Sequence, residues 1–303
     1  MRGPESRWVP GFIALGIVWG SSFLFIEWAL ESFTPAGIVF WRGLLGAVSL
    51  GIFLVVRRER LPGKGRHWFH ISVVALLLNA LPGLLFAVGQ QWVSSSLAGV
   101  INATTPLMTV MVIFTFFRNQ NPTGNQILGI LLGILGILFV MEIFSAGSET
   151  SAVGVVVLLA ATLCYGVAIP YARKYVVNLP YSPYALATAQ VGVSALLTLI
   201  PALVVGSTYA PASVHSFVGI VGLGIFGTGL AYVWNYRNIQ LAGSVIASSV
   251  TYITPVVAVI LGALLLQELL SVAQIIGGLL VIVSALLVQE RWKPLRSVRS
   301  ITS

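Results

Sequence analysis

The sequence predicts an all-α integral membrane protein: ten transmembrane helices, set out as two five-helix repeats that enter the membrane from opposite sides. Three observations lead there. Charged residues make up 8% of the 303-residue chain, 57% of it is hydrophobic, and the mean hydropathy is +0.98. Ten apolar runs have membrane-spanning length. Short motifs of the first half return in the second at nearly one offset. A soluble domain carries about 25% charged residues, and a water-soluble fold of this size cannot hide so much apolar surface. A soluble enzyme and a nucleic-acid-binding protein are thereby excluded. The pI near 10.0 has to be read from where the basic residues sit, not as affinity for nucleic acid. The single cysteine, Cys164, excludes a disulfide framework and a thiolate metal site. There is no Asp, and neither a metal nor a cofactor is expected.

A bilayer core about 30 Å thick needs about 20 apolar residues per helix. The runs, in order, cover residues 9–30, 36–56, 69–90, 97–117, 126–144, 153–172, 184–206, 217–236, 244–266 and 272–289. The first is too long for a signal peptide and is followed by no small-residue cleavage site. The second starts at Thr34-Pro35 and stops at Arg57-Arg58; the third follows the basic stretch that ends at Arg66. The fourth stops at Arg118, and Asn121-Pro122-Thr123-Gly124 precedes the fifth. The sixth stops at Arg173-Lys174, Ser182-Pro183 opens the seventh, and Arg237 ends the eighth. No linker is long enough for a separate soluble domain.

Orientation follows from the basic residues, which favour the cytoplasmic side. Alternate connections and both tails hold Arg2, Arg7, Arg57, Arg58, Arg60, Lys64, Arg66, Arg118, Arg173, Lys174, Arg237, Arg291, Lys293, Arg296 and Arg299. The connections on the opposite side hold none, only acidic residues such as Glu31 and Glu149, with Glu142 and Glu268 at its border. A miscounted run would scramble this segregation. The expectation is a multi-pass protein of the cell (inner) membrane with both termini in the cytoplasm.

Phe33-Thr34-Pro35 pairs with Tyr181-Ser182-Pro183, and Gln126-Ile127-Leu128-Gly129 with Gln274-Ile275-Ile276-Gly277, both at an offset of 148. Thr105-Pro106 and Thr254-Pro255 agree at 149. An odd number of spans per half turns the second half over, and inverted repeats mark secondary transporters with a site near the midplane. The same residues carry a family likeness. Trp19-Gly20-Ser21-Ser22-Phe23, Phe40-Trp41-Arg42, Thr104-Thr105-Pro106-Leu107, Ile253-Thr254-Pro255-Val256 and Leu266-Gln267-Glu268 together resemble the EamA family of the drug/metabolite transporter superfamily. The resemblance covers essentially the whole chain, with residues 1–150 as one EamA-like five-helix repeat and 151–303 as the second. It implies a ten-helix carrier that moves metabolites, often outward, by alternating access. Two positions depart from the family pattern. The first-half counterpart of Glu268 is Gln120, and Glu27 stands where a basic residue is usual late in the first span.

Charges among apolar helices are costly and mark function by default. Glu27 and Arg42 both fall in the outer halves of consecutive spans, where they can meet as an ion pair; alternatively Arg42 gates or anchors a substrate carboxylate. Pro106 and Pro255 break the fourth and ninth spans near their centres, freeing backbone carbonyls. At matching depth lie Trp19, Ser21 and Ser22; Asn79, Phe86 and Gln90 on one helical face; Asn102 and Thr105; Tyr165; Thr228, Tyr232 and Asn235; and Ser248 and Tyr252. Each can serve as substrate contact or as interhelical hydrogen bonding, and their convergence defines the expected binding site. Gly222-Leu223-Gly224-Ile225-Phe226-Gly227 fits a dinucleotide fingerprint but has no strand before it, so close helix packing is expected there.

These features favour a carrier of small polar or amphipathic metabolites, amino acids first: amides and hydroxyls suit a zwitterion, and Trp and Tyr suit an apolar or cationic group. A nucleotide-sugar or sugar-phosphate carrier is the alternative, but it calls for several central cations and the spans offer Arg42. A membrane-embedded enzyme would need converging carboxylates or histidines. The expected partners are a small-molecule substrate and the bilayer, with no nucleic acid and a homodimer left open.

Overall fold

The computed structural model describes residues 8–116, 124–141 and 151–288. Its helices are α1 (Val9–Leu30), α2 (Pro35–Val56), α3 (His67–Gly89), α4 (Ser95–Asn102 and Thr105–Phe116), α5 (Gly124–Val140), α6 (Ala152–Tyr175) and α7 (Pro183–Val205). Then come α8 (Val214–Val221, Gly222–Leu230 and Ala231–Ser248 in succession), α9 (Ile253–Leu265, entered through a 3-10 turn at Ser249–Tyr252) and α10 (Val272–Val288). Seven of them, α1 to α4 and α6 to α8, are long and apolar enough to cross a membrane; α5, α9 and α10 are shorter apolar helices. The expected runs fall on these helices, with one displaced boundary. A break was expected after Tyr236, where polar residues begin, but the backbone stays helical to Ser248. Polar side chains end an apolar run without ending a helix, and no proline intervenes between Tyr236 and Ser248.

Local chemistry sets several ends. Thr34 caps α2 by accepting from the Gly37 N–H at 2.9 Å, and Ser182 caps α7 by accepting from the Ala185 N–H at 3.1 Å. Pro35 and Pro183 follow at the first helical position, where a missing N–H costs nothing. At the far ends of the same two helices Arg58 (φ 55°) and Gly206 (φ 87°) take positive φ values. These features recur at the 148-residue offset of the sequence motifs.

The packing recurs in the same way. α2 lies against α7, α4 against α9, and α5 against α10. Exchanging the halves carries α1–α9 into α6–α4, α1–α8 into α6–α3, and α2–α8 into α7–α3, all of which are in contact. Five-residue hydrogen-bonded (π) turns occupy Leu76–Ala80 in α3 and Gly222–Leu230 in α8, again corresponding places. By contrast α1 and α2, consecutive in sequence, barely touch. The α5–α10 crossing brings two glycines together: a Cβ on Gly277 would stand 2.6 Å from the Gly136 carbonyl oxygen.

Large apolar side chains are spread over the outer surface, among them Val55, Val204, Val214 and Leu264. On a soluble protein such an expanse would be an aggregation hazard; here it is the surface that meets lipid.

Candidate functional site

Segments of seven helices, α1, α2, α3, α4, α6, α8 and α9, line a central cavity, whose empty space together with the solvent it opens to is about 1100 Å³. α5, α7 and α10 contribute nothing to its wall. Of the residues expected at the site, Trp19, Ser22, Phe86, Asn102, Thr105, Tyr165, Tyr232 and Asn235 line it, and so does Arg42. The aromatic wall is packed edge to face and stacked: Trp19 against Tyr232 with centroids 5.9 Å apart, Phe23 against Phe86 at 5.5 Å, and Phe86 against Tyr165 at 6.0 Å.

The irregular backbone explains part of this geometry. Pro82 gives α3 no N–H to return to the preceding turn. The carbonyl of Leu78, four residues before it, accepts instead from the Tyr232 hydroxyl at 2.8 Å. That bond fixes the ring of Tyr232 across the cavity, between the two π segments. In α4 the helix is interrupted by a turn at Ala103–Thr104, just before Thr105-Pro106, and in α9 by the 3-10 turn before Thr254-Pro255. Asn102, at the break of α4, donates to the Thr254 hydroxyl at 3.3 Å, and Thr105 donates to the Asn102 carbonyl at 2.8 Å. The two prolines thus act through the breaks that precede them; neither lies on the cavity wall.

Other expected residues are placed elsewhere. Gln90 donates through Nε2 to the Phe23 carbonyl at 2.9 Å, joining α3 to α1 behind the wall. Asn79 accepts through Oδ1 from Gln190 Nε2, and Gln190 accepts through Oε1 from the Tyr236 hydroxyl. Gln190, fully buried on α7, is a lone amide in an apolar run, which was the available signal for it. Tyr252 lies off the wall, and Ser21 donates to the Ile17 carbonyl at 2.8 Å within α1. The side chain of Ser248 lies outside the described residues, as do Gln120, Glu142 and Glu149. The wall also takes Leu78, Tyr236, Thr251 and Arg173, which the apolar and polar patterning did not single out.

The expected contact between Glu27 and Arg42 is absent. Arg42 donates from Nε to the Thr228 hydroxyl on α8 at 3.0 Å, its single hydrogen bond among the described residues. Glu27 faces α3 and the α9–α10 connection, with Gln90, Glu268 and Glu31 as its polar and charged neighbours. The cause is the packing: α1 and α2 do not lie side by side, so consecutive helices fail to bring the two charges together.

Glu268 has a distinct role. Its carboxylate accepts from the Ser95 N–H at 2.8 Å and Oγ at 3.0 Å, and from the Ser96 N–H at 2.8 Å and Oγ at 2.5 Å. A side chain from the second half thereby caps the helix N-terminus of α4 in the first. Gly262 makes the room, since a Cβ there would stand 2.4 Å from Glu268 Oε2. The glycine run of α8 is also close packing: a Cβ on Gly224 would meet the Leu45 Cβ of α2 at 2.5 Å.

The EamA-like transporter family matches the chain twice, over residues 6–142 and 152–289. The uncharacterized transporter YdfC of Bacillus subtilis is 26% identical over 88% of this chain and 85% of its own length. The uncharacterized inner membrane transporter YedA of Escherichia coli is 28% identical over 85% of this chain and 82% of its own. A crystal structure of 16% identity shares the fold, with a TM-score of 0.65 over 94% of this chain and 97% of the other. The chain belongs to the EamA-like transporter family and is a multi-span membrane transporter.

Proposed function

We propose that this transporter is a secondary carrier that exports small amphipathic metabolites, amino acids among them, by alternating access. Ten helices span the membrane as two inverted repeats, 1–150 and 151–303, with both termini in the cytoplasm. The observation that carries the proposal is the central cavity, walled by helices from both halves and furnished with rings, hydroxyls, two amides and two guanidiniums. The double family match, the exchange symmetry of the helix contacts and the paired π segments support the repeat. Broken helices at the cavity are where such carriers bind.

Purified protein in liposomes, screened for uptake of an amino-acid and metabolite panel with and without a pH gradient, tests the proposal. Saturable uptake of at least one compound, lost in Trp19→Ala or Tyr232→Ala at matched protein levels, is the expected result. Absence of saturable uptake of any compound by folded protein would sink it.

A further inference from the structure

The wall of the central cavity carries charge of one sign. Arg42 stands on it from α2, and Arg173 joins it at the end where the basic connections lie; no Glu lies among the described residues that line it. Arg42 is not neutralised from behind either. Its bond to Thr228 is to a neutral hydroxyl, and the one ion pair among the described residues joins Glu31 to His215, not to Arg42. Gly83 of α3 lies beside the guanidinium, and a Cβ there would stand 3.7 Å from Nη1, in ordinary contact. With Nε occupied by Thr228, the two terminal nitrogens keep their N–H donors for another group, in the fork that matches a carboxylate. A cation among apolar helices without a counter-ion is costly, and here the cavity is the side from which a counter-ion can come. Glu27, the carboxylate within α1, is turned away from the wall.

We propose that the cavity selects organic anions, with a carboxylate or sulfonate held by the Arg42 guanidinium and a flat apolar body between Trp19, Phe86, Tyr165 and Tyr232. The proposal rests on the carrier function above and narrows its substrate. A zwitterion satisfies Arg42 with its carboxylate but finds only neutral acceptors and ring faces for its ammonium group. A cation of the same body meets Arg42 and Arg173 with nothing to offset them. The order of preference is therefore anion, zwitterion, cation.

Three probes share one body and differ in the head group: 3-phenylpropionate, L-phenylalanine and 3-phenylpropylamine. Titration calorimetry on the full chain in lipid nanodiscs at pH 7 should rank them in that order, with the anion at least about tenfold tighter than the amine, the scale of one charge-assisted bidentate contact. Arg42→Gln should remove most of the anion preference, leaving the weaker bias of Arg173. Arg42→Lys, which keeps the charge but not the fork, should keep the sign of the preference and weaken it. Both variants are compared after thermal unfolding shows them folded. A preference for the amine, an anion preference unchanged in Arg42→Gln, or binding of none of the three to folded wild type overturns anion selection. The carrier function is judged separately, in liposomes, with the metabolite panel and with 3-phenylpropane-1-sulfonate, whose permanent charge prevents leakage. Saturable uptake of a cation or a zwitterion with no anion preference leaves the carrier standing and removes this proposal.

Discussion

Replacing Glu268 by alanine tests whether the two halves of the chain are tied together by a helix cap. Four hydrogen bonds converge on its carboxylate, two from main-chain N–H groups at the start of α4 and two from the Ser95 and Ser96 hydroxyls. Hydroxyls can turn to other acceptors, but the two N–H groups have no partner earlier in the helix. A hydrogen bond to a charged acceptor contributes about 1.5–3 kcal/mol. Two of them give about 3–6 kcal/mol, and because Glu268 is only half buried the lower end applies. Glu268→Ala should therefore destabilise by about 3 kcal/mol. Glu268→Gln should cost less, about 2 kcal/mol, because one amide oxygen still accepts while the amide NH₂ is set against a donor. Equilibrium unfolding in mixed detergent–SDS micelles measures both. Gln267→Gly is the control: the neighbouring side chain is exposed, its φ is 56°, and glycine accepts that conformation freely. That variant should be neutral or slightly stabilised. If Glu268→Ala unfolds within about 0.5 kcal/mol of wild type, the carboxylate is not holding α4 and the cap argument is wrong.

Three further outcomes are expected. Gln190→Leu removes the link between Asn79 and Tyr236 and leaves a buried hydroxyl and a half-buried amide without it, so it should destabilise by about 2 kcal/mol, measured by the same unfolding titration. Gly277→Val forces a side chain against the Gly136 carbonyl at the α5–α10 crossing and should cost about 1–3 kcal/mol, or block folding, whereas Gly124→Ala, open around its Cβ, should be silent. Glu27→Ala and Arg42→Ala should act independently in a double-mutant cycle, with a coupling energy under about 0.5 kcal/mol, since the two side chains face different helices; a coupling above about 1 kcal/mol would restore the ion pair.

The helices were legible because lipid enforces long apolar runs, and their starts at Thr34-Pro35 and Ser182-Pro183 were legible because capping chemistry is local. Half of the cavity wall was legible too: polar and aromatic residues at one depth of an apolar helix have few places to go except a shared interior. Phase was harder. Asn79 shares a helical face with Phe86 by spacing, yet the π turn at Leu76–Ala80 rotates the helix between Asn79 and the residues after it. Hydropathy carries no sign of such a turn, although Pro82 just beyond it does. The Glu27–Arg42 contact fails for a different reason: neighbours in sequence need not be neighbours in space, and helix order around the fold is a tertiary property.

Backbone irregularity is itself a guide to the site. Two π segments and two helix breaks lie in α3, α4, α8 and α9, and all four helices line the cavity; α5, α7 and α10, which do not, run without such interruptions over the described residues. Lipid cannot satisfy a free N–H or carbonyl, so non-helical backbone at membrane depth survives only where protein or cavity water completes it. At Leu78 the completing group is the Tyr232 hydroxyl, and at the break of α4 it is Thr105. Both residues also face the cavity, so each couples the shape of the wall to the state of a weak point in a helix. A substrate that displaces the Tyr232 ring must disturb the Leu78 carbonyl on the other half of the fold. That is the kind of link alternating access requires, because binding at the centre then bears directly on the elements most able to bend.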